Sequence, residues 1–130
     1  MKLIAAALLL AAATYKPTDA ERARWTYHDM RSIQTAIEAY ATDHNRYPDV
    51  KDMSALLPLV QPIYIMALPA HDAWGHPYRI ETTEKSYRII SAGADGKFDE
   101  SSWGTPGKNL AFDADAVIDH GKFTRQWAFK

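Results

Sequence analysis

The sequence contains no cysteine. That excludes disulfides, thiol nucleophiles, thiolate metal sites and a lipidated N-terminal cysteine. It also has almost no net charge: 15 basic residues against 16 acidic ones leave −1, with the five histidines counted neutral. A nucleic-acid or anionic-membrane surface needs clustered lysine and arginine, so neither partner is expected. No apolar run approaches the roughly 20 residues that span a bilayer. The serines lack a Gly-x-Ser-x-Gly elbow, and Gly93-Ala94-Asp95-Gly96 is not followed by the lysine and hydroxyl of a phosphate loop. His28, His44, His71, His76 and His120 are scattered, with no i, i+4 helical pair of the zinc-protease kind. Nothing converges into a catalytic set, so neither an enzyme activity nor a small-molecule substrate is expected.

What is present is 130 residues, 47% of them hydrophobic, which suits one domain with one modest core. Met1-Lys2, an apolar run from Leu3 to Leu10 and then Ala11-Ala12-Ala13 make the pattern of a secretory signal peptide. The expectation is cleavage after Ala13, with residues 14–130 exported as a globular domain to the periplasm or beyond the cell. Ala20 offers a second cleavage point, but Thr18-Asp19-Ala20-Glu21 reads as a capping box that opens a helix.

From Thr18 to about His44 the period is helical. Met30, Ile33, Ile37, Tyr40 and His44 recur every three or four residues, and Ala23, Thr26, Ala36 and Ala41 extend the stripe. Such a narrow stripe lies across a sheet or another helix. Tyr47-Pro48 then forces extended backbone. Asp49 is expected to cap a short second helix with Val50, Met53, Leu56 and Leu57 as its apolar face. Pro58, Pro62 and Pro69 interrupt the next stretch, so Leu59 to Met66 reads as a largely buried, turn-rich segment.

The second half alternates with period two. Pro77 to Glu81 and Ser86 to Ser91 form one expected hairpin, Ala116 to Ile118 and Phe123 to Trp127 another. The turn at Asp119-His120-Gly121-Lys122 has glycine where a positive φ is wanted. Between the pairs, Gly93 to Asp113 reads as one long irregular loop, and loops of that length are commonly functional or disordered. The expected fold class is α+β: a long N-terminal helix packed on a small antiparallel sheet, with a long C-terminal loop. Ile33, Ile37, Tyr40, Ile80, Tyr87, Ile89, Val117 and Phe123 are the expected core.

Asp95, Asp99, Glu100, Asp113 and Asp115 crowd the two ends of that loop, against Lys97 and Lys108. Carboxylates drawn together repel unless a cation sits among them, and calcium tolerates irregular loops and backbone carbonyls. The regular EF-hand series is missing, so on pattern alone a solvated acidic loop is an equal reading.

The order of motifs adds to this. Ala41-Thr42-Asp43-His44-Asn45-Arg46-Tyr47-Pro48 closes the long helix. Leu68-Pro69-Ala70-His71-Asp72-Ala73-Trp74-Gly75-His76-Pro77-Tyr78 comes next, then Ser91-Ala92-Gly93-Ala94-Asp95-Gly96, then Asp113-Ala114-Asp115 before a strand. From about Ala23 to Trp127 this series resembles the major pseudopilin, or G subunit, of type II secretion systems. The resemblance implies a pseudopilin-like head with a calcium ion in the C-terminal loop. It matches Asp95 and the carbonyl of Ala92 to the family's ligands, with Asp113 and Asp115 as the later aspartates. Asp99 and Glu100 are further candidate ligands if the long loop folds inward. The family's Gly-Phe-Thr-Leu-x-Glu prepilin segment and long apolar stem are replaced here by the signal-peptide pattern. The expectation is therefore a non-catalytic structural or interaction domain with protein partners in the cell envelope, pseudopilus or secretion components among them. The alternative is a free-standing calcium-binding periplasmic domain with an unrelated partner.

Overall fold

A computed structural model describes residues 15–129 of the chain. The signal peptide expected over residues 1–13, and its cleavage after Ala13, lie outside the described residues. The first element, α1, runs Asp19–His44. It starts where the capping-box pattern puts it. Thr18 accepts from the Glu21 amide, and the Glu21 carboxylate accepts in return from the Thr18 amide, closing the box. It stops at Asn45, which takes a left-handed conformation (φ 57°) and donates its N–H to the Ala41 carbonyl.

The sheet has the order β1-β2-β4-β5-β3, with β1 at Arg79–Thr82, β2 at Tyr87–Ser91, β3 at Gly107–Leu110, β4 at Ala116–Asp119 and β5 at Lys122–Trp127. The β4–β5 turn puts His120 and Gly121 at φ 50° and 81°, the two positive values a tight hairpin needs. Gln34 of α1 donates to the Gly121 carbonyl at 2.9 Å and ties that turn to the helix. Alternation along the strands sends Ile80, Tyr87, Ile89 and Ile118 toward α1, where they join Met30, Ile33, Ile37 and Tyr40 in the main core. Ile90 and Val117 belong to a separate cluster with Trp103, and Phe98 packs against it. Successive strand residues point to opposite faces, so this second cluster covers the face away from the helix.

Several expectations are corrected. Gly93 to Asp113 is not wholly irregular: it contains a 3-10 turn at Glu100–Ser102 and the edge strand β3. That strand pairs parallel to β5, so the sheet is not purely antiparallel. Gly-Lys-Asn-Leu has no β-branched residue and little burial, so its pairing comes from lying beside β5 rather than from its own pattern. Phe123 is only partly buried, while the other seven expected core residues are buried.

The short helix α2 spans Met53–Val60 and is capped by Asp52, whose carboxylate accepts from the Ala55 amide at 2.8 Å, not by Asp49. Val50 stays outside it because its N–H and C=O both bind the Thr82 hydroxyl. Pro58 lies inside this helix, which at eight residues gives up only the one bond a proline cannot make. The buried face is Met53, Leu56 and Val60, so Leu57 is turned out. The segment expected to be buried after it is not: Ile63 and Met66 are 79% and 85% exposed.

Ile37 is fully buried, and Ile37→Asp would place an unpaired charge there at a cost of several kcal/mol, comparable with the whole stability of a domain. Thermal melting should lose its cooperative transition. Leu57→Asp, on the exposed face of α2, should change stability by less than about 0.5 kcal/mol. Equal damage from both would contradict these faces.

Candidate functional site

The two ends of the long loop meet. Ala94 donates its amide to the Phe112 carbonyl at 2.8 Å. Gly93 sits at φ 78° where a Cβ would lie 2.2 Å from the Phe112 carbonyl oxygen and 2.9 Å from that of Ala114. Only glycine allows that approach, which explains its place in the Ser91-Ala92-Gly93-Ala94-Asp95-Gly96 motif. Ala92 is fully buried beside it.

Asp115 is the centre of the arrangement. Its side chain is buried, and one carboxylate oxygen accepts from the Trp103 indole N–H at 2.7 Å and from the Asp99 amide at 2.8 Å. Trp103, 3% exposed, thereby closes the loop over Ile90 and Val117. Arg125, a buried residue of β5, donates to the carbonyls of Asp115, Ser102 and Thr105. Trp127 donates its indole N–H to the Ala114 carbonyl. The loop is thus held from inside by two indoles and a guanidinium. Sequence reasoning missed all three; a tryptophan within the acidic loop was the available signal for the first, and on a strand as polar as Lys-Phe-Thr-Arg-Gln-Trp nothing marked Arg125.

The carboxylates divide. Burial pushes the Asp115 pKa up, against the two donors that lower it, and the charges of Asp95 and Asp99 push it further up. Asp95 is exposed and accepts from the Lys97 amide at 2.9 Å; Asp99 is exposed and accepts from the Ser101 hydroxyl. Asp113 is exposed, with no side-chain hydrogen bond among the described residues. Glu100 pairs with Arg79 at 3.3 Å. Among the described residues no three His, Asp or Glu side chains are grouped as a metal cluster. For a calcium ion the fit is partial. A buried carboxylate, two neighbouring carboxylates and the crowded carbonyls suit an oxygen-seeking cation, but Asp113 stands in solvent and several oxygens already accept N–H groups.

A second buried carboxylate organises the loop next door. Asp72 accepts from the amides of Trp74 and His76 through one oxygen and from the Ser91 hydroxyl, at 2.8 Å, through the other. Ser91 in turn accepts from the Gly93 amide. The His76 ring lies so close to Gly96 that a Cβ there would meet it at 2.6 Å. The Asp-x-Trp-Gly-x-Pro-Tyr and Ser-x-Gly-Ala-Asp-Gly motifs are therefore one connected unit in space.

A single long helix on a small sheet, with a fastened acidic loop on the opposite face, defines the head domain of a pilin-like protein. The sequence matches the family described as "Type II secretion system (T2SS), protein G" over residues 14–105, and the chain belongs to that family. The match spans α1 and the Asp95 side of the loop but ends before Asp113 and Asp115. No curated protein matches the chain. Membership places it among the structural components of type II secretion, whose partners are proteins of the secretion machinery. No helix among the described residues is long and apolar enough to cross a membrane.

Trp103→Phe keeps the ring in place but removes one of the two donors to Asp115, at a cost of about 1–3 kcal/mol. Hydrogen exchange of amides 99–105 should accelerate while that of α1 does not. Because folding raises the Asp115 pKa, the folded state binds that proton more tightly than the unfolded chain. Its stabilising contribution is present below the ordinary aspartate value and lost as pH rises through the raised one. In chelator, the melting temperature of the wild type relative to Asp115→Asn should therefore fall as pH rises above the ordinary aspartate value of about 4. A constant difference would contradict the raised pKa.

Proposed function

We propose that the protein is an exported, non-catalytic pseudopilin-like head that docks on secretion components of the cell envelope, with its loop stabilised by one calcium ion. The observation that carries the reading is the family match over more than half of the chain, joined to the pilin-like placement of α1 on the sheet. The signal-peptide pattern of residues 1–13 supports export. The absence of a convergent catalytic set in the sequence supports a structural role.

For calcium, the support is chemical. A buried carboxylate with two like charges nearby is costly, and a divalent cation is the natural relief. The proposed ligands are the carboxylates of Asp95 and Asp115 and the carbonyl of Ala92. Asp113 requires the 112–115 segment to turn inward, and Asp99 can take its place. The ion's role is to fasten the loop from outside, as Trp103 and Arg125 do from inside.

Binding to the folded state alone raises the melting temperature with the logarithm of free calcium above the dissociation constant. The wild type should show this rise between chelator and millimolar calcium, and Asp95→Ala should lose most of it. No rise in the wild type, or an equal rise in both, removes the site. For the docking role, crosslinking the protein in envelope preparations should recover secretion components. A partner set without them would favour the free-standing reading.

A further inference from the structure

A groove of about 620 Å³ runs between the solvent side of α1 and the segment after α2, far along the chain from the acidic loop. Its helix wall is His28, Asp29, Arg31, Ser32 and Thr35, and its other wall includes Tyr64, Ile65 and Met66. The second wall is held in place. The amides of Tyr64 and Ile65 both donate to the Val60 carbonyl, the Tyr64 hydroxyl donates to Asp43 at 2.6 Å, and the Leu68 amide donates to the Gln61 side chain. Met66 is thus presented to solvent, at 85% exposure, by a fastened segment.

The helix wall holds a charge without a partner. Ser32 and Thr35 spend their hydroxyl protons on the carbonyls of His28 and Arg31. Arg31 stacks its guanidinium on the Phe123 ring, 5.1 Å from the centroid, and makes no ion pair with Asp29. Asp29 is partly buried and has no side-chain hydrogen bond or ion pair among the described residues, and His28 is the charge that bears on it. Burial raises its pKa, as expected of a carboxylate that has lost water and gained no partner. The buried Tyr78 hydroxyl feels the charges of Asp29 and Asp72 and has only the Thr26 side chain beside it, with no hydrogen bond of normal geometry. An unpaired carboxylate beside an apolar wall is complementary to a cation carried on an apolar stem, which is what a lysine or arginine side chain is. Methionine at the rim suits such a contact, because its unbranched thioether adapts to different shapes.

We propose that this groove docks a lysine- or arginine-bearing apolar segment of a partner protein, with the cationic head on Asp29 and the apolar flank on Tyr64, Ile65 and Met66. A free metal ion would not use the apolar wall, and an anionic or purely apolar segment would leave Asp29 desolvated and unpaired. The inference depends neither on the calcium site nor on the secretion machinery supplying the partner.

The test is an NMR titration of the full isotope-labelled chain with three capped tripeptides, Leu-Lys-Leu, Leu-Leu-Leu and Leu-Glu-Leu. The first should shift the amides of Asp29, Ser32, Ile65 and Met66, and the third should shift none of them. Asp29→Asn should weaken Leu-Lys-Leu binding about tenfold, the loss of one charge contact. It should not lower the melting temperature, since the Asp29 side chain makes no internal bond to lose. Equal binding of the three peptides, shifts elsewhere, or unchanged affinity in Asp29→Asn would overturn the proposal. So would sedimentation showing a homodimer that Asp29→Asn dissolves, since the groove's occupant would then be a second copy of the chain.

Discussion

The buried carboxylate of Asp115 is the contact on which the far side of the molecule depends. A residue that turns a charge inward must find donors, or the charge destabilises the fold. Here both donors to one oxygen come from the loop that crosses above it, the Trp103 indole and the Asp99 amide. The charge and the loop therefore stabilise each other. Without the loop, Asp115 is unpaired; without Asp115, the indole loses its polar anchor and Ile90 and Val117 lose their cover. Arg125 completes the arrangement from the neighbouring strand by binding carbonyls on both sides of the crossing.

This makes the sheet a shared floor for two different kinds of packing. Toward α1 the contact is broad and apolar, with Met30, Ile33 and Ile37 fully buried against Ile80, Tyr87 and Ile89. Toward the loop it is a small cluster surrounded by hydrogen bonds to buried or crowded oxygens. A small domain has little core to spare, and a loop of some twenty residues cannot fasten itself by hydrophobic area alone. Polar anchoring carries the remainder. It is also the part whose energy lies in charges rather than in area, with the Asp115 carboxyl at its centre. Family membership assigns the domain to type II secretion.

Much of the fold was legible in the sequence. The helix limits came from Thr18, Glu21 and Asn45, which act on the nearest backbone groups and need no tertiary context. The β4–β5 hairpin came from Gly121 in the same way. The errors have one cause. Asp49 and Asp52 are equally good caps locally, and what chose between them was Thr82, a partner 32 residues away from Val50. Leu57, Ile63 and Met66 look like core residues, and their exposure depends on how the segment after α2 turns. The edge strand β3 was invisible because its pairing with β5 owes nothing to its own four residues.

The candidate site divides along the same line. Sequence alone determined that carboxylates gather at both ends of one loop and that the order of motifs is that of the G-subunit family, because these are properties of neighbouring residues. Only the tertiary structure decided that Asp115 is buried while Asp113 and Asp95 are exposed, that Trp103 and Arg125 hold the loop, and that Asp29 stands unpaired in a groove. The physical reason is that burial and hydrogen-bond partnership belong to pairs of distant residues. Asp113 and Asp115 are chemically identical and nearly adjacent, yet the first sits in a turn open to water and the second enters β4 beneath the crossing loop. The groups that surround each one, drawn from elsewhere in the chain, set what it can bind.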